Sequence, residues 1–325
     1  MTKIRIGIVG YGNLGKGVER AINQNEDMEL IAIFSRRDVS TINDGSSKLV
    51  NISEIESYKD KIDVMLLCGG SATDLVVQGP EMAKHFNTVD SFDTHAKIPE
   101  YFEKMDSVAK ESGKVSLIST GWDPGLFSLN RLLGQCVLPK GVDYTFWGKG
   151  VSQGHSDAIR RVEGVKKGVQ YTIPNEEALN SVRNGEEPEL STSDRHERVC
   201  YIVVEDGADK AKIEEEIKTM PNYFADYKTT VNFISEEEFN AEHTGMPHGG
   251  SVFRSGTTDE GARQVIEFKL DLGSNPGFTS SVATAYARAV YKLSKEGKTG
   301  AVTVFDIPFA YLSPKSGEEL RRDLL

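Results

Sequence analysis

The stretch Ile4–Ala21, IRIGIVGYGNLGKGVERA, decides the fold class of this chain. Its apolar, β-branched start ends in the glycine pattern Gly10-Tyr11-Gly12-Asn13-Leu14-Gly15, and a helical pattern follows at once. Strand, glycine turn and helix N-terminus in this order form the phosphate cradle of dinucleotide-binding folds. Gly10 permits the tight turn, Gly12 lets the backbone approach a pyrophosphate, and Gly15 lets the helix pack closely on the strand. An ordinary strand-to-helix turn is the alternative, but this context favours a bound dinucleotide.

The second predicted strand, Glu29–Ser35, is followed by Arg36 and Arg37. A site for NAD places an acidic residue at the end of this strand, where it bonds the ribose 2′-hydroxyl. Here the Ser35 hydroxyl precedes two guanidiniums, which can hold a 2′-phosphate through paired, charge-assisted hydrogen bonds. The spacing favours NADP, although a solvated basic turn, or Asp38 as the ribose ligand, is also consistent with it.

The composition limits the range of partners. The formal net charge is −11, with 38% hydrophobic and 27% charged residues, so we expect neither nucleic acid nor a membrane surface as a partner. No apolar run approaches the roughly 18 residues that span a bilayer, and the first residues lack the layout of a signal peptide. Three scattered cysteines, Cys68, Cys136 and Cys200, make a disulfide framework unlikely. We therefore expect a cytoplasmic protein.

Three more predicted strands alternate with helices in the first 120 residues. They are Asp63–Cys68, Phe86–Ser91 and Val115–Ser119. Five such strands predict an α/β fold with a doubly wound parallel sheet of Rossmann type, which binds ligands beyond the carboxyl ends of its strands. Gly69, Gly70 and Ser71 follow one of these strands and suit a bound cofactor, although a flexible turn capped by Thr73 or Asp74 is the alternative.

After Gly125 the segments with strand character lack regular helical crossovers. They are 143–147, 170–173, 199–204, 229–234, 251–254 and 265–272. A helix is predicted at Ser281–Glu296 and a strand at Ala301–Ile307, followed by a C-terminal helix. The simplest topology makes residues 1–121 plus 276–325 the NADP-binding domain. Residues 122–275 then form an inserted, mixed or antiparallel α+β domain.

Two carboxylates follow predicted sheet strands. Asp93 and Asp123 both lie just past strand ends, at the rim where a nicotinamide and its substrate would meet. Converging carboxylates can hold an ammonium ion, and one of them could accept a proton. The alternative is that Asp123 belongs only to a turn and that Asp93 is an N-cap or part of an Asx turn.

Other polar clusters carry weaker signals. Ser152–Asp157 contains Ser, His and Asp within six residues, but hydrolase triads are assembled from distant segments, so we predict a loop that caps a helix beginning near Asp157. His243 and His248 lack zinc-like spacing, so we predict no metal and keep His248 as a possible binding residue. Arg198 and Thr172 are uninformative by themselves.

Ten segments that follow one another between residues 7 and 250 resemble the meso-diaminopimelate D-dehydrogenase family, and the C-terminal segment is similar as well. They are GIVGYGNLG, FSRR, LCGGSATD, DSFDTHAKIP, STGWDPGLFSLNR, TFWGKGVSQGHSDAIRR, GVQYT, TMPNYF, VNFI and HTGMPHGG. STGWDPG, SQGHSDA and HTGMPHGG are far more specific than a glycine fingerprint. The resemblance covers essentially the whole chain.

The resemblance implies an NADP-dependent, reversible oxidative deamination of the D-centre of meso-2,6-diaminopimelate. The products would be L-2-amino-6-oxopimelate, which cyclises to tetrahydrodipicolinate, together with ammonium and NADPH. The reverse direction would serve lysine and diaminopimelate biosynthesis. The resemblance further implies a homodimer formed through the second domain and a reaction that requires no metal.

The resemblance also implies the residues of both sites, all present at matching positions. With the fingerprint residues Gly10 and Gly15, NADP would contact Tyr11, Gly12, Asn13, Leu14, Ser35, Arg36, Arg37, Cys68, Gly69, Gly70, Ser71, Ser91, Phe92, Asp93, Thr120, Gly121, Trp122, Asp123 and Pro124. The substrate would contact Asp93, Asp123, Trp147, Gln153, Gly154, Thr172, Arg198, His248 and Asn275. Asp93 and Asp123 would be catalytic and bind the reacting amino group, while Arg198 would pair with the carboxylate of the L-centre.

Two other functions are consistent with an NADP-binding first domain. A semialdehyde dehydrogenase would need a reactive cysteine, and only Cys136 is plausibly placed. A non-enzymatic NADPH-sensing protein would have no use for Asp93, Asp123 and Arg198 together.

Overall fold

The alternation of strands and helices in the sequence is present in the structure, a computed structural model that describes residues 3–42, 48–221 and 223–325. The strands in these ranges are β1 (Ile4–Val9), β2 (Met28–Ser35), β3 (Leu49–Asn51), β4 (Val64–Leu67), β5 (Asn87–Asp90), β6 (Val115–Leu117), β7 (Gly141–Trp147), β8 (Gly150–Val151), β9 (Val165–Pro174), β10 (His196–Val204), β11 (Thr229–Phe233), β12 (His248–Asp259), β13 (Ala262–Leu272) and β14 (Gly300–Val302). The α-helices are α1 (Asn13–Asn23), α2 (Val76–Ala83), α3 (Ile98–Glu111), α4 (Leu126–Val137), α5 (Gln153–Arg160), α6 (Glu176–Arg183), α7 (Thr192–Arg195), α8 (Lys210–Lys218), α9 (Glu236–Glu242), α10 (Asn275–Lys295) and α11 (Gly317–Leu324).

The chain divides into two compact units. The first unit consists of Met1–Leu129 and Pro276–Leu325, and the second unit is Asn130–Asn275. The second unit is therefore an insertion between two parts of the first. The predicted division, with its boundary between residues 121 and 122, stays a prediction.

The first unit is built on a parallel sheet with β1 near its centre. In the described residues its strand order is β14-β6-β5-β4-β1-β2-β3, and every pairing is parallel. One hydrophobic cluster joins Ile6 and Ile8 to residues of α1 and α10, and a second joins Val9 to residues of α2 and α3. Helices therefore cover both faces, which confirms the doubly wound α/β fold.

The second unit contains two smaller sheets. One has the order β11-β10-β9-β8, in which β10 pairs in parallel with β11 and antiparallel with β9. The other has the order β13-β12-β7 and is antiparallel. The prediction of a mixed or antiparallel α+β unit is confirmed.

Several predicted boundaries were wrong, and local capping explains one of them. The strand predicted at Ala301–Ile307 ends at Val302, because Thr303 and Asp306 form a capping box around a short 3-10 turn. The helix predicted near Asp157 begins at Gln153, although the Ser152 side chain before it makes no capping hydrogen bond.

The remaining differences concern elements that begin early or were not predicted. The helix predicted at Ser281–Glu296 already begins at Asn275, because Pro276 fits the first turn of a helix. The helices α6, α7 and α9 and the strands β3 and β8 were not predicted. In the first of these, the Asn175 side chain accepts hydrogen bonds from two N–H groups of the first turn.

None of the helices in the described residues combines the length and the apolar character needed to cross a lipid bilayer.

Candidate active site

The glycine turn between β1 and α1 has the geometry that its sequence predicts. Gly10 has a φ of +94°, and a Cβ at this position would lie 3.3 Å from the backbone of Cys68. A Cβ on Gly15 would overlap the carbonyl oxygen of Gly10, so a side chain there would force the helix away from the turn. Gly12 faces open space and is the N-cap of α1, whose first turn contains no acidic residue. The positive end of the helix dipole therefore favours an anion at this turn.

The basic residues after β2 lie close to this turn. The Ser35 hydroxyl accepts a hydrogen bond from the backbone N–H of Arg37 at 3.1 Å, and the Arg37 guanidinium donates to the carbonyl of Tyr11 at 2.8 Å. Asp38, the alternative ribose ligand, caps a short turn, and its carboxylate accepts a hydrogen bond from the N–H of Ser40 at 2.9 Å. A hydrogen bond from the Ser40 hydroxyl and this one from the Ser40 N–H lower the pKa of Asp38.

The turn and the basic residues border one cleft of about 470 Å³. Its lining includes ten predicted cofactor contacts: Gly10, Tyr11, Gly12, Asn13, Ser35, Arg36, Arg37, Cys68, Gly69 and Gly70. Lys16, Arg36 and Arg37 supply three positive charges against the single carboxylate of Asp74. A cleft with excess positive charge beside a glycine turn fits a dinucleotide that carries an additional phosphate.

Other predicted cofactor contacts do not line this cleft. They are Leu14, Gly15, Ser71, Ser91, Phe92, Asp93, Thr120, Gly121, Trp122, Asp123 and Pro124. Most of them belong to loops at the carboxyl ends of β4, β5 and β6, which is the edge of the sheet where ligands of this fold bind.

Hydrogen bonds of Asp74 and Ser71 organise the loop after β4. The Asp74 carboxylate accepts from the backbone N–H of Gly70 at 3.1 Å and pairs with the Arg36 guanidinium at 2.7 Å. The Ser71 hydroxyl accepts from the backbone N–H of Asp93 at 3.0 Å. The loop after β4 is therefore joined both to the basic residues after β2 and to the loop that carries Asp93.

Asp90, which the sequence analysis did not select, joins the next two loops. Its side chain is buried at the end of β5, and its Oδ1 accepts hydrogen bonds from the backbone N–H groups of Phe92 and Ser119, both at 3.0 Å. Its Oδ2 accepts from the Tyr101 hydroxyl at 2.8 Å. Burial raises the pKa of Asp90 to about 6, although these three hydrogen bonds lower it.

The structure tests the local alternatives for Asp93 and Asp123. Asp93 is exposed, and its carboxylate caps no helix in the described chain. Asp123 is half-buried in a tight turn whose Leu126 N–H donates to the carbonyl of Gly121 at 3.1 Å. A Cβ on Gly125 would overlap Gly121, and its φ is +132°, so the turn requires glycine there.

Thr172 and Arg198 come together in the second unit. They are opposite each other on β9 and β10, and the Arg198 guanidinium donates to the Thr172 hydroxyl at 2.6 Å. Arg198 is buried, its guanidinium carbon lies 3.9 Å from the centre of the Tyr227 ring, and its Nε has no hydrogen-bond partner in the described residues. Burial lowers the pKa of Arg198. A buried guanidinium without an acidic partner among the described residues suits the carboxylate of a ligand.

Trp147 is held by a neutral histidine. Its backbone N–H donates to Nε2 of His196 at 2.8 Å, and the two rings stack with their centres 5.3 Å apart. Burial, with Arg198 nearby, lowers the pKa of His196 to about 4. The imidazole is therefore unprotonated near neutral pH and can accept this hydrogen bond.

Two of the other predicted substrate contacts of the second unit, Gln153 and Asn275, contact Met246. The side-chain amide of Gln153 contacts its sulfur at 3.5 Å, and the backbone N–H of Asn275 donates to its carbonyl at 2.9 Å. Gly154 follows Gln153 in the first turn of α5 and is exposed. His248 packs against Gly150, where a Cβ would collide with the imidazole.

In the triad-like segment Ser152–Asp157, the serine and the histidine are in contact, but the aspartate pairs with other residues. Ser152 Oγ and His155 Nδ1 lie 2.8 Å apart, but Asp157 pairs with Arg160 and Arg161 on α5. Burial lowers the pKa of His155 to about 4. Over the part of the chain that the structure describes, no cluster of three His, Cys, Asp or Glu residues could hold a metal ion.

Four residues that contact predicted site residues or their loops were missed by the sequence analysis: Asp90, Tyr101, His196 and Tyr227. The first had a detectable signal, because an acidic residue at the end of a buried strand needs hydrogen-bond donors there. The other three act through contacts between distant segments, for which the sequence pattern contains no signal.

Comparisons with known proteins identify relatives over the whole chain. Residues 121–274 match the family described as Diaminopimelic acid dehydrogenase C-terminal domain. The chain is 67% identical over 326 residues to the meso-diaminopimelate D-dehydrogenase of Ureibacillus thermosphaericus, with 100% of both chains covered.

Two solved structures are also similar. One is the C. glutamicum DAP dehydrogenase in complex with DAP, with 45% identity, a TM-score of 0.93 and 100% of both chains covered. The other is an engineered D-amino acid dehydrogenase bound to NADP+, with 43% identity, a TM-score of 0.87 and 100% of both chains covered. By these similarities over its full length, the chain belongs to the meso-diaminopimelate D-dehydrogenase family.

Proposed function

We propose that this chain catalyses the NADP-dependent, reversible oxidative deamination of the D-centre of meso-2,6-diaminopimelate. The products are L-2-amino-6-oxopimelate, which cyclises to tetrahydrodipicolinate, ammonium and NADPH, and the reverse reaction serves lysine and diaminopimelate biosynthesis. The family supports the reaction. The observation that carries the substrate assignment is the buried Arg198, whose guanidinium has no acidic partner in the described residues.

In this proposal Asp93 and Asp123 bind the amino group of the D-centre. An α-carbon can release hydride only when its nitrogen has a free lone pair, so a proton must first pass from the ammonium to a carboxylate or to water. Both aspartates lie on loops at the carboxyl end of the sheet, on the same edge as the cofactor cleft of the first unit. Loss of hydride leaves an imine, and addition of water then releases ammonium.

The opposite end of the substrate is assigned to the second unit. Arg198 pairs with the carboxylate of the L-centre, and Thr172, which already accepts one guanidinium hydrogen bond, holds the arginine in place. Trp147, Gln153, Gly154, His248 and Asn275 supply further contacts. A site built from paired polar groups rejects a stereoisomer that leaves them unsatisfied, which gives selectivity for the meso form.

Bound NADP supplies the acceptor for hydride in this reaction. Ser35, Arg36 and Arg37 hold its 2′-phosphate, and the glycine turn with the N-terminus of α1 holds the pyrophosphate. The two guanidiniums are anchored in different ways, Arg36 by Asp74 and Arg37 by the carbonyl of Tyr11.

The proposal extends to domains, assembly and location. Residues 1–121 plus 276–325 bind NADP, and residues 122–275 bind substrate and form a homodimer in the cytoplasm. Three free cysteines support a reducing compartment. We do not propose a semialdehyde dehydrogenase, since Cys136 on α4 does not line the cofactor cleft and the family reaction needs no covalent nucleophile.

A stereoisomer assay tests the function. The purified protein with NADP+ is expected to form NADPH with meso-diaminopimelate and not with the L,L or D,D isomers, as followed by absorbance of the reduced cofactor. Equal rates with all three isomers would contradict the assignment of the two ends. No reduction of the cofactor with any isomer would contradict the reaction itself.

A further inference from the structure

Asp90 is a buried acid whose position is unusual for its type. It is 1% exposed at the end of β5, and no lysine or arginine of the described chain forms an ion pair with it. Burial of a carboxylate without a cation is unfavourable unless hydrogen-bond donors surround it. Three donors do so, two backbone N–H groups on Oδ1 and one hydroxyl on Oδ2.

The two backbone donors belong to the two loops that carry the proposed catalytic acids. Phe92 immediately precedes Asp93, and Ser119 lies four residues before Asp123. Because one oxygen accepts from both, the two loops are joined through a single atom. The backbone adds a second link, since the N–H of Thr120 donates to the carbonyl of Asp90 at 2.9 Å.

The turn at Ser119 depends on this link. Ser119 has a φ of +56°, in the left-handed region that residues other than glycine rarely adopt. Its hydroxyl is buried and has no hydrogen-bond partner in the described residues, so its own side chain does not hold the turn. Such a conformation persists where the surroundings determine it, and the hydrogen bonds from the Ser119 and Thr120 N–H groups to Asp90 restrain it.

Tyr101 reinforces the same loop from the next helix. Its hydroxyl donates to Oδ2 of Asp90, and its ring stacks on Phe92 with the centres 4.2 Å apart and the planes 16° apart. A Cβ on Gly79 of α2 would collide with the Tyr101 hydroxyl, so this glycine makes room for the contact.

We propose that Asp90 is a positioning residue that sets the relative placement of Asp93 and Asp123 by holding both loops on one buried carboxylate. The proposal rests on the proposed function. Asp90 lies within the end of the sheet and acts through the loops, so it is not itself a catalytic residue. A displacement of about 1 Å at a catalytic group can cost roughly 100-fold in rate.

The test compares three substitutions in the full-length protein with NADP+. Asp90→Ala removes the side-chain acceptor that both loops share, and Asp90→Asn keeps one side-chain oxygen for the two backbone N–H groups. The matched control is Thr88→Val, because the Thr88 hydroxyl donates to the hydroxyl of Ser116 at 3.0 Å and joins the same two strands two residues before Asp90. The control removes a buried link between β5 and β6 without touching the loops.

The expected result separates positioning from stability. Asp90→Ala lowers kcat with meso-diaminopimelate about 100-fold and raises the deuterium isotope effect on kcat for substrate labelled at the D-centre, because hydride transfer becomes slower. Asp90→Asn regains most of the turnover, and Thr88→Val retains wild-type kcat and isotope effect even if it unfolds at a lower temperature. If Asp90→Ala does not fold, Tyr101→Phe, which removes one hydrogen bond, replaces it and is expected to lower kcat less.

Three outcomes would overturn the proposal. They are wild-type kcat in Asp90→Ala, an equal loss of kcat in Asp90→Ala and Thr88→Val, and an Asp90→Asn variant as slow as Asp90→Ala. Asp123→Asn measured alongside distinguishes the two levels of inference. If that variant is slow while Asp90→Ala is not, only the positioning role fails, and if both turn over normally, the proposed catalytic site fails.

Discussion

The two units differ in how they present charge. In the first unit the proposed substrate contacts are carboxylates on loops, Asp93 exposed and Asp123 half-buried. In the second unit the charged contact is a guanidinium, Arg198, which is buried on a strand between Thr172 and the Tyr227 ring. Accessible acids can exchange protons with a ligand or water, whereas a buried arginine remains charged and fixed. In the proposed reaction, this difference suits the loops of the first unit to proton transfer and the buried guanidinium of the second unit to binding a carboxylate.

The largest expected effect comes from removing an acid of the first unit. Asp123→Asn is expected to lower kcat by about 100-fold or more, because a positioned acid–base group contributes that much to a proton-transfer step. NADPH affinity, measured by fluorescence titration, stays nearly unchanged because the cleft of the first unit is lined by other residues. Asp38→Asn, an exposed acid that caps a turn outside the cleft, is the matched control and keeps wild-type kcat. Unchanged turnover in Asp123→Asn would remove this residue from the chemistry.

A smaller and more selective effect is expected in the second unit. Arg198→Met is expected to lower kcat/KM for meso-diaminopimelate about 10- to 100-fold, since a hydrogen-bonded charge pair contributes about 1.5–3 kcal/mol. Simple D-amino acids, which lack the second carboxylate, lose less. Steady-state rates with meso-diaminopimelate and D-alanine give the ratio of the losses in kcat/KM for the two substrates. Arg263→Met, at an exposed arginine of the same unit, serves as the control. An equal loss for both substrates would contradict the role of Arg198 at the far end.

The smallest effect on turnover is expected from changes of pH, which act on stability. The stabilities of the two units are expected to respond to pH in opposite directions. The native pKa of Asp90 is raised from 3.8 to about 6, so the native state binds the proton of this carboxyl more tightly than the unfolded chain does. The stabilisation that this proton provides is therefore lost as pH rises from about 4 to 6. The native pKa of His196 is lowered from 6.5 to about 4, so its contribution is present above pH 6.5 and lost as pH falls toward 4. Each contribution amounts to at most about 3 kcal/mol.

The pH dependence of the stability of each unit can be measured separately through the two tryptophans, because Trp122 lies in the first unit and Trp147 in the second. Denaturation is followed in variants that retain one tryptophan, between pH 4.5 and 7.5. Relative to the parent, Asp90→Asn is expected to gain stability as pH rises to 6, and His196→Gln is expected to gain stability as pH falls below 6.5. If the stabilities of both units changed with pH in the same direction, this contrast would be contradicted.

The sequence predicted the first unit better than the second because its signals are contiguous. The glycine turn occupies six consecutive residues, and Ser35, Arg36 and Arg37 follow a strand directly. Arg198 and Thr172 are 26 residues apart and meet only through the register of two antiparallel strands. Spacing alone gave them no role, and the family resemblance was needed to select them.

Asp90 was missed because its contacts also join separate parts of the chain. Its three donors are 2, 11 and 29 residues away in the chain, and two of them are backbone N–H groups that any sequence contains. The errors at helix and strand ends have a more local origin. Capping by Thr303 and Asn175 decided where two elements begin or end, and such short polar signals are weaker than the apolar periodicity used to find the elements.

The first unit takes its last sheet strand and one of its core helices from the far end of the chain. The Ser280 hydroxyl of α10 donates to the carbonyl of Leu14, and β14 pairs with β6. During translation, β6 therefore leaves the ribosome long before its neighbour has been made, and its edge stays unpaired while the whole second unit is synthesised. The nascent chain can complete the inserted unit first, and the nucleotide-binding sheet closes only after Val302 has emerged.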